Sequence, residues 1–422
     1  MIRSERYINM RWPALRSFGN KTLPNYDVFV FRFALIDILF LPYFWLISAP
    51  LSLPFILHWS AKNIRYIFSG RDGNLLKIIF ITMVNSFIIG MVFYPEYFYD
   101  NIKIGVIFLY CFGAYCLFKK VLSIYELDLK FLFNLFSIFL GIILLTYYTN
   151  KNFYSALTYF WNLRSGGAIA GLYENFVGYR FSFIWTDPNN IAYMISSIFI
   201  FLISYYRISI WMALWWFVLV IATMLASASR GGAIAFGGTL ILYLIVVIIG
   251  RILIGGVIRI RIQWVIGVCV LILICILGWV IYDSRVIDIV ANSNVFAYAQ
   301  ERLGSEEDTR LEKWKSYYRG LEPWDWIFLV FAGRGAGSIF NGQSVSPHNG
   351  HIFWIFNYGL ISLIAFLMLT FHLWSRIGLR RRLWMLPFFV GFTLNIMIGE
   401  VKLFAIYLLM LAYATRVRNT LG

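Results

Sequence analysis

The chain has 422 residues, 61% hydrophobic and only 13% charged, with a mean hydropathy of +0.74. Soluble domains are nearer half apolar and a quarter charged, so a soluble globular protein is excluded, and the alternating pattern of an outer-membrane barrel is absent. The net charge of +16 does not signal nucleic acid, because the bases sit in short loops between apolar runs and form no basic, aromatic-bearing soluble module.

The reading is therefore all-α: a polytopic integral membrane protein forming one membrane-embedded domain over 1–422, with about twelve spans. The first stretch, with Arg3, Arg6, Arg11, Arg16 and Lys21, is basic and too polar for a signal-peptide core, which places it in the cytoplasm. Residues 28–59 are apolar but interrupted by Pro42, Pro50 and Pro54. The loop that follows, with Lys62, Arg65, Arg71 and Lys77, is basic again, so 28–59 read as a tight pair of short helices. Inside that pair, Arg32 and Asp37 are expected to satisfy each other or face the bundle interior.

Further spans are expected near 77–94, 102–118, 131–149, 190–206, 211–228, 232–250, 263–282, 351–372, 384–399 and 401–415. The connectors holding Lys119, Lys120 and Lys130, then Arg207, then Arg251, Arg259 and Arg261, then Arg376, Arg380, Arg381 and Arg382, fall on one side. Arg416 and Arg418 in the tail join them, which puts both termini inside. Cys111, Cys116, Cys269 and Cys275 lie in apolar runs and read as packing residues. His58 and His372 fall at span ends on the same side as the basic connectors.

Two connectors on the opposite side are long, 150–189 and 283–350, and the second holds nine acidic residues against seven basic ones. Within it Leu311, Trp314 and Tyr318 share one helical face, suited to lying on the membrane surface. Gly333-Arg334-Gly335-Ala336-Gly337 has the wrong spacing for a dinucleotide fingerprint and reads as a flexible turn.

Three polar features meet on that side. The first is Tyr179 to Asn190, with Arg180, Asp187 and Asn189 leading into a span. In the second, Ser227 to Gly232, Arg230 sits in a turn of about four residues between apolar helices, where an arginine is costly unless it meets water, a cavity or an anion. Its fork suits a phosphate, and Gly231 and Gly232 let the backbone turn closely; the alternative is snorkelling to lipid headgroups. The third is Ser346 to His351, where a polar loop enters an apolar run. Histidine titrates near neutral pH, so His348 suits proton transfer; the alternative is that Pro347 starts the helix and His348 caps it. His351, nearly one turn on, reads as a packing residue. No acidic metal cluster appears among the three features.

Arg180 with Asp187-Pro188-Asn189, Ser229-Arg230-Gly231 and Pro347-His348-Asn349, in that order on such a scaffold, resemble the O-antigen polymerase and ligase superfamily. Its members are bacterial inner-membrane enzymes that handle undecaprenyl-diphosphate-linked glycans. The resemblance covers roughly residues 175–365, and the first half of the chain is similar only in hydropathy. It implies a glycosyltransferase without metal or other cofactor, its active site facing the periplasm. The implied partners are a lipid-linked glycan donor, a glycan acceptor and membrane lipids, with a chain-length regulator as a further candidate.

By that carry-over, Arg180 and Arg230 hold the donor's diphosphate and His348 serves the acceptor hydroxyl or stabilises charge. Asn349 orients the histidine, and Asp187, Asn189 and Arg310 are supporting candidates. Family members also carry an arginine in the last spans, where this chain has Lys402 beside Glu400. Trp161, Tyr173, Trp314, Tyr317, Tyr318, Trp324 and Trp326 are candidates for stacking on sugar rings, and interfacial belts use the same residue types. Polymerase is the expected activity; ligase chemistry and a non-enzymatic flippase are the alternatives. The flippase predicts internal repeats and a line of midplane charges, and the sequence has neither.

Overall fold

A computed structural model describes residues 15–17, 23–44, 49–93, 95, 98–150, 152–154, 156–157, 181, 188–227, 229–253, 310–319, 321–335, 349–395 and 400–416. Within them the chain is almost wholly helical. A short strand β1 (Leu15–Ser17) precedes α1 (Asn25–Phe40), and the two-residue strands β2 (Tyr43–Phe44) and β3 (Ala49–Pro50) turn the chain back into α2 (Leu53–Lys62). The expected pair of short helices is thus present. Pro42 follows the end of α1 and Pro54 sits in the first turn of α2, positions where a missing N–H costs nothing.

Helices α1 and α2 run antiparallel, fixed at two levels. Trp59 Nε1 donates to Asp27 Oδ1 at 3.0 Å near one end; Ser52 N and Oγ both donate to Asp37 Oδ2 at 2.6 Å near the other. Of the two expectations for Asp37, a pair with Arg32 or a place in the bundle interior, the second holds, since side chains five apart on a helix do not share a face and Asp37 is fully buried. Asp37 pairs across the bundle with Lys402 instead.

After the single turn α3 (Ile64–Ile67) come α4 (Gly70–Phe93), α5 (Phe98–Leu122), strand β4 (Tyr125–Leu127) and α6 (Leu129–Thr149). Then follow α7 (Pro188–Tyr205), α8 (Ile210–Ser227) and α9 (Arg230–Leu253). These six long helices are apolar enough to cross a membrane, close to the spans expected for them. The span expected at 263–282, with Cys269 and Cys275, lies outside the described residues; Cys111 and Cys116 are buried thiols.

Two short helices follow, α10 (Arg310–Tyr318) and α11 (Pro323–Phe331), and then α12 (Gly350–Tyr358) and α13 (Leu360–Ser375). The single span expected at 351–372 is therefore broken, at Gly359 with φ +86°. A side chain there would meet the backbone of Ala332 and Gly333 at 2.8 and 3.0 Å, so the break lets the end of α11 pack against the chain. Last come α14 (Leu379–Arg382), α15 (Met385–Leu394) and α16 (Val401–Arg416).

Two helices form the axes of the bundle. Every residue of α16 from Val401 to Ala414 is buried, with α5 packed along it; α7 is almost as enclosed, wrapped by α8, α9 and α15. Burial on all sides explains their lack of a polar face. Lys402 enters this interior and serves as the C-terminal cap of α1. Its Nζ donates to Asp37 Oδ1 at 2.9 Å and to the carbonyls of Asp37, Leu41 and Pro42 at 2.8, 2.5 and 3.2 Å.

The described basic connectors, holding Lys119, Lys120, Lys130, Arg207, Arg376, Arg380, Arg381 and Arg382, collect at one end, as their pattern predicts. There Lys120 pairs with Asp27 at 2.8 Å, Lys119 with Asp72, and His372 Nε2 lies 3.6 Å from Asp72. Strand β1 pairs with β4 at this end, Lys130 donates to the Arg207 carbonyl, and Arg381 lies over the Tyr205 ring.

Candidate functional site

At the opposite end, three helices begin around the C-terminal turn of α15. Helix α7 starts at Pro188, and its Asn190 Oδ1 accepts a 2.9 Å hydrogen bond from Asn395 Nδ2, both residues buried. Helix α9 starts at Arg230, after a turn as short as the sequence implied. Ser229 Oγ accepts from Gly232 N at 3.1 Å, closing the first turn. A Cβ on Gly231 would collide with Tyr193 Oη and lie 3.5 Å from Leu394; one on Gly232 would lie 2.5 Å from the Ala192 methyl. The glycine pair therefore lets α9 begin directly against α7 and α15.

The third is α12. Its N-cap is Asn349, whose Oδ1 accepts from the N–H groups of His351 and Ile352 at 2.9 and 3.0 Å. The capping alternative raised for His348 thus belongs to its neighbour. A Cβ on Gly350 would lie 2.5 Å from the Phe392 carbonyl, so this helix also starts in backbone contact with α15. His351 packs its ring edge-on against Phe392 at 4.6 Å, with Nε2 3.2 Å from Thr393 Oγ1.

Each helix N-terminus carries roughly half a positive charge, although several of the first-turn N–H groups are already capped by Ser229 and Asn349. Three of them gathered at one end, in a low-dielectric surround, make a place that favours an anion. Of the residues expected there, Asn189 is in the first turn of α7 and Asn349 caps α12. Arg230 and Arg310 are the first residues of α9 and α10. Arg180, Asp187 and His348 lie outside the described residues, as do Trp161 and Tyr173. Arg180 has a well-fixed neighbour: Phe181 is fully buried between Tyr147 and Tyr154, and its N–H donates to the Ala226 carbonyl at 2.8 Å. Ala226 is in the last turn of α8, four residues before Arg230. Asn395 and Tyr193 were missed from sequence, although a lone amide in an apolar run is itself a signal.

The connector before α12 adds to two expectations. In helix α10 part of the aromatic face meets protein. Tyr317 and Tyr318 pack on Phe356 of α12 at 5.6 and 5.5 Å, and Tyr318 stacks on Trp326, because Ile352 and Phe356 offer an apolar protein wall. Burial pushes the Tyr317 phenol up to about 12, so it packs as a neutral ring. Among the described members of the sugar-stacking set, Trp324 and Trp326 are exposed, and Trp314 and Tyr318 are half-buried.

The glycine-rich turn is not loose. Gly333 and Gly335 have φ of +71° and +85°; a Cβ on the first would lie 2.5 Å from Tyr358 N, and one on the second 2.7 Å from Gly90 Cα. Between them Arg334 donates its N–H to the Phe356 carbonyl and its guanidinium to Asp325 Oδ1, both at 2.8 Å. Asp325 Oδ2 accepts from Glu322 N at 2.9 Å, completing the capping box of α11. This turn is a wedge between α4, α5 and α12.

Lys402, the cation within the last apolar runs, is fully buried and engaged with α1. Among the described residues no three metal-ligating side chains come together. No family model matches the chain, and no curated protein matches it. What the fold itself defines is an all-α membrane protein with a cluster of helix N-termini at the end away from its described basic connectors.

Proposed function

We propose that this chain is a membrane glycosyltransferase that polymerises undecaprenyl-diphosphate-linked repeat units on the periplasmic face of a bacterial inner membrane. The observation that carries the reading is the gathering of three helix starts, bearing Asn189-Asn190, Arg230-Gly231-Gly232 and Asn349-Gly350, around the end of α15. Each start bears the described part of one motif that carries the resemblance, Pro188-Asn189, Ser229-Arg230-Gly231 and Asn349, and the three are far apart in sequence. The end they occupy lies away from the basic connectors, which the positive-inside rule assigns to the cytoplasm together with both termini.

The chemistry follows from the charges. The bond between the donor sugar's anomeric carbon and the diphosphate oxygen breaks, and the diphosphate leaves as an anion. Arg180 and Arg230, with the helix N-termini, stabilise the charge that grows on it. The acceptor hydroxyl attacks the anomeric carbon and gives its proton to His348. Asn349 has its Oδ1 committed to the helix cap, so the amide Nδ2 is the group it offers to the histidine. Asp187, Asn189 and Arg310 support the donor side, and Trp324 and Trp326 offer exposed rings to the glycan.

Arg230→Lys and His348→Ala test this in cells, by glycan ladders and by the level of inserted protein. Both variants insert normally. Arg230→Lys transfers poorly, because a point charge does not replace the guanidinium fork. His348→Ala leaves the lipid A-core, or an equivalent carrier, capped with a single repeat unit. Bare core with long polymer accumulating on undecaprenyl diphosphate makes the enzyme a ligase. Lipid-linked single units held on the cytoplasmic leaflet make it a flippase. A wild-type ladder from both variants removes the enzyme reading.

A further inference from the structure

The cavity between α2–α3 and α4–α5 plays no part in the function proposed above and lies at the other end of the bundle. Its volume is about 200 Å³, and its walls are hydrocarbon: Leu57 from α2, Ile67 from α3, Ile79 and Met83 from α4, Phe112 from α5. An apolar void of about 150 Å³ in a protein core stays dry and takes up a hydrocarbon guest. This one is not sealed. At its rim Ile64 is 52% exposed and Phe80 37%, so it opens sideways as a groove. The groove exists because α2 has ten residues, about 15 Å of helix, and covers α4 and α5 through only half of a bilayer core about 30 Å thick. It is therefore one leaflet deep, on the side of the basic connectors.

Two features give it polarity at one end. Ser60 Oγ lines the groove, is buried, and has no hydrogen-bond partner in the protein. Gly113 permits that placement, since a Cβ there would overlap the hydroxyl. A buried hydroxyl of this kind calls for an acceptor on whatever fills the space. Beyond Ser60 the exposed cations Lys62, Arg65 and Arg71 follow on α2, α3 and the first turn of α4. The acidic residues nearby are already engaged: Asp27 holds Trp59 and Lys120, and Asp72 holds Lys119. The charge left over is positive.

We infer that this groove binds one acyl chain of an anionic glycerophospholipid from the leaflet on the basic side. The chain lies along Ile79 and Met83, its ester carbonyl accepts from Ser60 Oγ, and its phosphate sits among Lys62, Arg65 and Arg71.

The test uses the whole protein in phosphatidylcholine vesicles containing a trace of phosphatidylglycerol with a photoactivatable diazirine in its acyl chain, followed by peptide mapping. Labels are expected on Ile79, Phe80 and Met83 as well as on lipid-facing α8 and α9. Replacing the unlabelled phosphatidylcholine by phosphatidylglycerol at constant probe should remove the groove labels and leave those on α8 and α9 unchanged; this arm needs no variant. Ala61→Trp, at the rim, should abolish groove labelling alone. Arg65→Gln with Arg71→Gln should keep the labels but lose the preference for phosphatidylglycerol, by about fivefold per cation removed. Groove labels that stay unchanged along with those on α8 and α9 overturn a specific site. Equal competition by phosphatidylcholine overturns the anionic headgroup.

Discussion

Lys402→Met isolates the interaction that ties the last helix to the first. The side chain removed is fully buried and gives hydrogen bonds to one carboxylate oxygen and three carbonyls. Asp37 Oδ2 keeps its bonds from Ser52, but Oδ1 and the C-terminal carbonyls of α1 are left with no cation. Removing one member of a buried ion pair costs about 3–5 kcal/mol, and this site belongs in that range. Asp37→Asn should fall at its lower end, because the ammonium keeps its three carbonyls. The double variant removes both charges and should recover about 1–3 kcal/mol relative to the sum of the singles. Unfolding by SDS in mixed micelles, followed by tryptophan fluorescence, gives all three values. Single variants costing less than about 1 kcal/mol, as at exposed pairs, would refute the reasoning, and so would strict additivity.

Gly335→Ala should destabilise by about 2 kcal/mol or more, since it combines a left-handed backbone with a clash at Gly90, while Gly378→Ala, with open space around it, should change little in the same assay. Asn349→Ala should lose the α12 cap, about 1 kcal/mol, and Asn349→Asp should retain it. His351→Phe should leave the glycan ladder at wild-type length, because the ring packs on Phe392; a ladder shortened like that of His348→Ala would give His351 a chemical role. A cysteine at Ser305 should react with an impermeant thiol reagent in cells with a permeabilised outer membrane, and one at Ser375 should not. The reverse pattern inverts the orientation.

The long helices were legible because their apolar runs match the bilayer and basic clusters separate them. The proline spacing likewise marked α1 and α2. Breaks such as Gly359 were not legible: a glycine within an apolar run looks the same whether it continues a helix or admits another backbone. Partners distant in sequence were hidden for a related reason. Nothing local to Asp37 names Lys402, and nothing local to Asn190 names Asn395. The motifs of the candidate site could be read one at a time from their glycine, arginine and histidine content. Their meeting around α15 could not, because it depends on which glycines lack room for a Cβ. Helix α11 was overlooked although Glu322-Pro323-Trp324-Asp325 carries both a capping box and a proline at the first position.

The Asp37–Lys402 contact also bears on how the chain is made. The two residues are separated by 365 positions, so at about 5–20 residues per second the carboxylate waits on the order of tens of seconds for its cation. Ser52 emerges soon after it and Tyr110 later, and Ser52 Oγ bonds both Asp37 and the Tyr110 hydroxyl, so neutral escorts are in place long before the lysine. Emergence of α16, not insertion of any earlier helix, is then the step at which the bundle locks. A ribosome that stops before α16 leaves the earlier helices with an Asp37 carboxylate held on Oδ2 by Ser52 and with no cation on Oδ1, so the first helix stays short of its C-terminal cap until the last described one arrives.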